Sequence, residues 1–232
     1  MAGKLPRIFC VLMLLMPMLG YGQQQVELVQ LIKLLLADGE GELTLSQMQI
    51  SIADSKLKRN KGVFNYISDN YPQSIDIQGN IAIERPVILD GLTFTDHLYL
   101  NQLDFRGGLE IRNCQFNGLT ISQATANDFI FTQNSSVNHV EILESTFERV
   151  EVSQNTVDFG VILEGLTASQ LKIENNQVNS GEINLLESKI IDGNLLIGDN
   201  STQAIIVQDC DIKLGEYGEF NHYKLPGAPS GD

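Results

Sequence analysis

At 232 residues, with 15 basic against 29 acidic side chains and a net charge of −14, the chain is long enough for one domain with its own core and has the wrong sign for a nucleic-acid backbone. Its 43% hydrophobic content is that of an ordinary folded protein, and the absence of tryptophan weighs against a sugar-stacking cleft.

The first element, residues 1–22, reads as a secretory signal. MAGKLPR is basic, IFCVLMLLMPML is apolar, and GYG brings small residues at Gly20 and Gly22. The apolar run is shorter than the roughly 20 residues of a spanning helix and carries Pro17, so cleavage after Gly22 is expected rather than a permanent anchor. Removing Lys4 and Arg7 from the 15 basic residues leaves 13 against 29 acidic ones, a net of −16. This predicts export, to the periplasm or outside the cell.

Residues 23–74 come next. In QVELVQLIKLLLAD, residues 25–38, Val26, Val29, Leu31, Ile32, Leu35 and Leu36 fall at helical spacing before Gly39, which predicts an amphipathic α-helical cap on the adjoining segment. Further on, SIADSKL echoes LLESKII, so an imperfect first coil is expected over 43–74, with a helical turn inserted at RNKGVFNYISDN, residues 59–70.

From 75 to 212 the chain repeats. Apolar-x-apolar triplets recur every five to seven residues, and taking them by fours gives four apolar columns near a 21-residue step. The first is Ile83, Phe105, Ala126, Phe147, Ala168, Ile190 and Ile212; the second is Leu89, Ile111, Phe131, Val152, Ile173 and Ile197. The third is Phe94, Phe116, Val137, Val157 and Val178; the fourth is Ile77, Leu100, Ile121, Ile142, Leu163, Leu185 and Val207. Period two within each triplet excludes stacked helices.

Two further columns bear on the corners between these faces. Asn113, Asn134, Asn155 and Asn176, then Asn200, form one; Asn117, Asn138, Asp158 and Asn179 form the other. Asparagine tolerates left-handed backbone and stacked amides bond along the axis, so a corner ladder is expected at each. Gly107, Gly108, Gly118, Gly165 and Gly193 fit other corners. The expected fold is all-β: a parallel β-solenoid of four-sided, about 21-residue coils. Residues 213–232, with Pro226 and Pro229, read as a loose tail.

CQFNG, ATAND, STFER and CDIKL resemble the unit of the pentapeptide-repeat proteins, in which a small residue two before a central Leu or Phe points inward with it. The resemblance implies a right-handed, square-sectioned coil over residues 75–212. LEI, VEI, VEV and INL put bulky residues at the small position, so a more general right-handed β-helix fits the same residues.

Chemistry is sparse. Cys114 and Cys210 occupy the small inward position on two different sides, about 20 Å apart, which is too far for a disulfide and predicts core thiols. His97 and His139 share a corner two coils apart with Gly118 between them, too far apart for one zinc, and His222 lies in the tail. Glu141, Glu144, Glu148, Glu151 and Glu164 crowd the middle coils, which reads as a solvated acidic face rather than a calcium site. Thr125, Thr146 and Thr167, at steps of 21, form a ladder on the first face between Asp104 and Lys189; this is the candidate ligand face, for a glycan or for ice. Sequons begin at Asn134 and Asn200, both in the corner ladder.

No catalytic residue, metal ligand or cofactor site is expected. The leading reading is an exported, non-catalytic solenoid with a protein or glycan partner. One alternative is a carbohydrate-active β-helix cleaving an acidic polysaccharide, which the scattered Arg106, Arg112, Arg149 and Lys172 disfavour. The other, implied by the resemblance, is an acidic DNA mimic that occupies topoisomerase, which the signal disfavours.

Overall fold

The computed structural model describes residues 23–35, 37, 39, 41–51 and 74–213. The signal, the inserted turn over 59–70, His222 and the tail beyond Lys213 lie outside the described residues. What is described is a parallel β-solenoid in which each coil pairs with the one before and the one after. The third face alone is a seven-stranded parallel sheet, and the other faces join in a fifteen-stranded one.

The strand pairings reproduce three of the four expected columns residue for residue. On the first face Ile83 pairs with Phe105, and Ala126, Phe147, Ala168, Ile190 and Ile212 continue in register. On the second, Leu45 extends the column back to a partner of Leu89, and the fourth runs from Ile77 to Val207. Inward residues of the middle coils are fully buried: Ile111, Phe131, Ile142, Val152, Leu163 and Ile173 are each 0% exposed. Phe129 and Phe147 add stacked rings 5.2 Å apart.

The third column departs from expectation at one place. Ser136, not Val137, pairs with Phe116 and Val157, and Val137 is turned out at 58% exposure. The cause lies upstream. Three residues, Arg106, Gly107 and Gly108, separate Phe105 from Leu109, whereas two, Asn127 and Asp128, separate Ala126 from Phe129, so Leu109 pairs with Phe129 at a step of 20. The extra residue is accommodated because a Cβ on Gly107 would lie 2.2 Å from the Arg85 carbonyl carbon and Gly108 has φ +96°.

The same shift corrects the asparagine ladder. Asn113 is exposed, with φ 54°, and donates to Asp90; the position equivalent to Asn134 is Cys114, whose N–H donates to the Asn134 amide oxygen at 2.8 Å. From Asn134 the ladder runs unbroken: Asn155 Nδ2 donates to the Asn176 oxygen at 3.0 Å, and Asn176 Nδ2 to that of Asn200 at 2.9 Å. The second expected column is two separate pairs, Asn138 on Asn117 and Asn179 on Asp158.

The N-terminal cap is not supported in the form expected. Gln24–Glu27 is a strand that pairs with Met48–Ser51 on the third face, and the helix is confined to Leu28–Leu35. Leu43–Ser46 and Met48–Ser51 join the stack on the second and third faces, ahead of Ser74–Ile83.

Candidate functional site

The threonine ladder is in register. Thr125 pairs with Asp104 on one side and Thr146 on the other, Thr146 with Thr167, and Thr167 with Lys189. Strands alternate, so these side chains face outward while Ala126, Phe147 and Ala168 face the core. Two consecutive outward residues then turn the chain toward the second face. The first of each pair, Asn127, Glu148 and Ser169, stands beside the ladder, and with Ile191 and Arg106 these walls make a shallow groove of about 530 Å³.

The groove mixes hydroxyl and charged groups with the apolar Ala126, Phe147 and Ile191, and it is anchored at one end. Thr125 Oγ1 donates to Asp104 at 2.7 Å, and Arg106 holds the other Asp104 oxygen at 2.8 Å while reaching Glu84 at 2.6 Å. The Thr125 hydroxyl and the Arg106 guanidinium together hold the Asp104 carboxyl below the usual carboxylate range. A carboxylate end and a lysine end, Lys189, are thus separated by four coil steps, about 19 Å, with hydroxyls between.

A second polar array runs along the fourth face. His97 lies over Gly118 of the next coil, where a Cβ would come within 2.3 Å of Nδ1, and the glycine is what admits the ring. His97 Nε2 is 2.9 Å from Thr120 Oγ1, and Thr120 gives its single proton to Glu141 at 2.8 Å, so Nε2 carries the proton and donates. Tyr99 stacks on the imidazole at 4.3 Å. Burial pushes the His97 pKa down, with the Glu141 carboxylate opposing and His139 adding to the shift. His139 lies in the same column, beyond Gly118, and packs against Phe159, which is 50% exposed.

The cysteines are masonry. Cys114 is 1% exposed, accepts the Leu92 N–H, donates to backbone carbonyls, and has its thiol pushed up to about 12 by burial. Cys210 fills the equivalent inward position at the opposite corner, and both thiols are free. The glutamates are dispersed rather than massed. Glu141 bonds Thr120, Glu144 accepts from Gln123, and Glu151 is held by Lys172, which also grips Glu174 at 2.6 Å. Among the described residues no three His, Cys, Asp or Glu side chains come together to hold a metal. Arg106, Arg112, Arg149 and Lys172 each sit in an ion pair with a neighbouring carboxylate. The sequon asparagine Asn134 is 3% exposed and donates to Ile111 O and to Asn155, so the ladder occupies its amide.

Sequence reasoning placed Asn113, Gly108 and Gly165 at corners, and all three have positive φ, but it missed the other residues that turn the chain. The non-glycine residues with positive φ fall into two columns: Gln47, Asn113, Gln133, Gln154, Asn175 and Asp199 after the second face, and Gln102, Gln123, Glu144, Glu187 and Asp209 after the fourth. Left-handed backbone costs an L-residue roughly 1–2 kcal/mol. Ladders along the axis offset part of it: Gln102 donates to Gln123, Gln123 to Glu144, and Gln133 to Gln154, at 3.0–3.1 Å. The detectable signal was a Gln, Glu, Asn or Asp immediately before each small inward residue.

Comparison of the chain with protein-family models, with curated proteins and with solved structures finds no match. The geometry itself defines the class: an all-β parallel solenoid of about seven turns with about 21-residue coils.

Proposed function

We propose that the protein is an exported, non-catalytic solenoid, right-handed and four-sided in the manner of pentapeptide repeats, that serves as a binding or structural scaffold in the envelope or outside the cell. The N-terminal signal pattern supports export, and the acidic net charge disfavours a nucleic-acid partner. The observation that carries the binding role is the groove over Thr125, Thr146 and Thr167, where hydroxyls recur at the coil spacing beside Asn127, Glu148 and Ser169. Such a surface suits a hydroxyl-rich polymer whose own repeat follows the rod axis. Each rung is hydrogen-bonded to both neighbours, so binding requires little ordering of the protein.

The test is an array of envelope and environmental glycans probed with the chain from residue 23, alongside a Thr125→Ala, Thr146→Ala, Thr167→Ala variant whose circular dichroism matches it. Saturable binding that the variant loses, without turnover of the glycan, is the expected result. Equal binding by both proteins removes the groove from the account, and cleavage of a bound uronic-acid polymer replaces the scaffold with an enzyme.

A further inference from the structure

The corner beside the threonine ladder is not uniform along the rod. Two residues turn it in each of three consecutive coils: Asn127 and Asp128, Glu148 and Arg149, then Ser169 and Gln170. On either side of these coils the same corner is longer. Arg106, Gly107 and Gly108 turn it in the coil before. In the coil after, Ile191, Asp192 and Gly193 stand where Ser169 stands alone, because Ala168 pairs with Ile190 but Gln170 pairs with Asn194.

The longer corners fall where the groove ends. At the first, the Arg106 guanidinium holds Asp104, on the ladder side, at 2.8 Å and Glu84, on the wall side of the preceding coil, at 2.6 Å, so it bridges the groove from one side to the other. Asn127 Nδ2 donates to Arg106 O at 3.0 Å and fixes that turn against the next coil. At the second, Ile191 lines the groove and is 40% exposed. Between these stops lie three coils, about 14 Å at the coil spacing, which carry Thr125, Thr146 and Thr167. The groove is therefore a trough with two ends rather than a channel along the rod.

Charge narrows the occupant further. Among the described residues that line the trough, the charged ones are Asp104, Arg106 and Glu148. Arg106 is already matched by two carboxylates, and Glu148, midway along the wall, repels an acid. The surface left to a ligand is hydroxyl on the ladder side, with apolar Ala126 and Phe147 below and Ile191 at the end. A pyranose ring is the complement of such a surface, with hydroxyls at its rim and C–H groups on its faces.

We propose, resting on the assignment of this groove to a glycan, that the trough takes an uncharged β-linked oligosaccharide about three sugars long, not an unbroken run of a long polymer. An extended chain of β-linked hexoses advances about one coil step per sugar, so each sugar meets one threonine and one wall residue, and a fourth meets Arg106 or Ile191.

Titration calorimetry of the chain from residue 23 with glucose oligomers prepared from cellulose, from the disaccharide to the hexasaccharide, measures the length of the site. The expected affinity rises at least about tenfold from disaccharide to trisaccharide and changes by less than about twofold beyond the tetrasaccharide. Galacturonic-acid oligomers of the same lengths should bind at least about tenfold more weakly. Deleting Asp192 and Gly193 gives the far corner two residues like its neighbours and should move the plateau outward by a sugar or more. Ile191→Gly, which keeps the chain length, replaces the deletion where circular dichroism shows a disturbed fold. Affinity that keeps rising through the hexasaccharide, or a plateau that neither variant moves, would overturn the proposal while leaving the groove a glycan site. Tighter binding of the acidic oligomers would overturn its charge argument. Silence at every length would remove the glycan assignment and the proposal together.

Discussion

Replacing Asn155 by Ala tests the interior ladder where it is most complete. Asn155 Nδ2 donates to Phe131 O at 2.9 Å and to the Asn176 oxygen at 3.0 Å, and its own oxygen accepts the Asn134 N–H at 2.9 Å and Asn134 Nδ2 at 3.2 Å. Truncation removes all of these from a residue that is 1% exposed. The Asn134 N–H is left buried without its acceptor, which costs about 1–3 kcal/mol, and the three other lost bonds add about 0.5–1.5 kcal/mol each, so a destabilisation of roughly 2.5–7.5 kcal/mol is expected. For a chain of this size that is a fall in Tm of roughly 5–30 °C. The matched control is Asn113→Gly. Asn113 is exposed at φ 54° and its side chain reaches only Asp90, so glycine relieves the backbone while giving up one surface bond, and a change within about 0.5 kcal/mol is expected. Calorimetry and urea unfolding of both variants decide the matter. Comparable losses at Asn113 and Asn155 would refute the one-residue shift at Gly107 and Gly108 and the ladder built on it.

Ser136→Val should stabilise by about 1–3 kcal/mol, because the Ser136 hydroxyl is buried without a partner in a column otherwise occupied by Phe and Val; a lowered urea midpoint would show the site cannot take the methyls. Gly118→Ala should drive the His97 ring off its seat and release its bond to Thr120. In the parent His97 is held below its ordinary pKa, so its contribution is fully present above about pH 6.5 and is lost as pH falls through the lower folded value. In the variant the imidazole should titrate nearer the ordinary value and that acid-side loss should shrink, as read from its ring protons and from stability against pH; an unmoved titration would contradict the stacking.

Much of the fold was legible because burial enforces period two within each triplet and stacking enforces a near-constant step between them. Ile111, Phe131 and Val152 had to align for their neighbours to be buried at all. What escaped was register, not architecture. One added residue at Gly107 and Gly108 leaves every strand apolar inside yet moves Asn113 off the ladder and exchanges Val137 for Ser136 at the inward position, and neither residue type betrays the change. The corner turns escaped because Gln and Glu are not turn residues by propensity; they hold φ near +50° through ladders that exist only once coils stack. Helical spacing at Val26 misled for a related reason, since the open third-face edge beside Ile50 outweighs local preference and draws Gln24–Glu27 into the sheet. Thr125, Thr146 and Thr167 stack in register as their step of 21 predicts, but the flat patch expected of them is walled by Asn127, Glu148 and Ser169, which rise only where the corner turns.

The most direct test of the account is the distance along the first face. Spin labels placed by Asp104→Cys and Lys189→Cys, in a chain from residue 23 with Cys210→Ser and with Cys114 left buried, bracket the threonine ladder at its two ends. Four coil steps predict a single narrow distribution centred at about 20 Å. A broad distribution, or one centred beyond about 30 Å, would mean that these coils do not stack in register and that Thr125, Thr146 and Thr167 form no common surface.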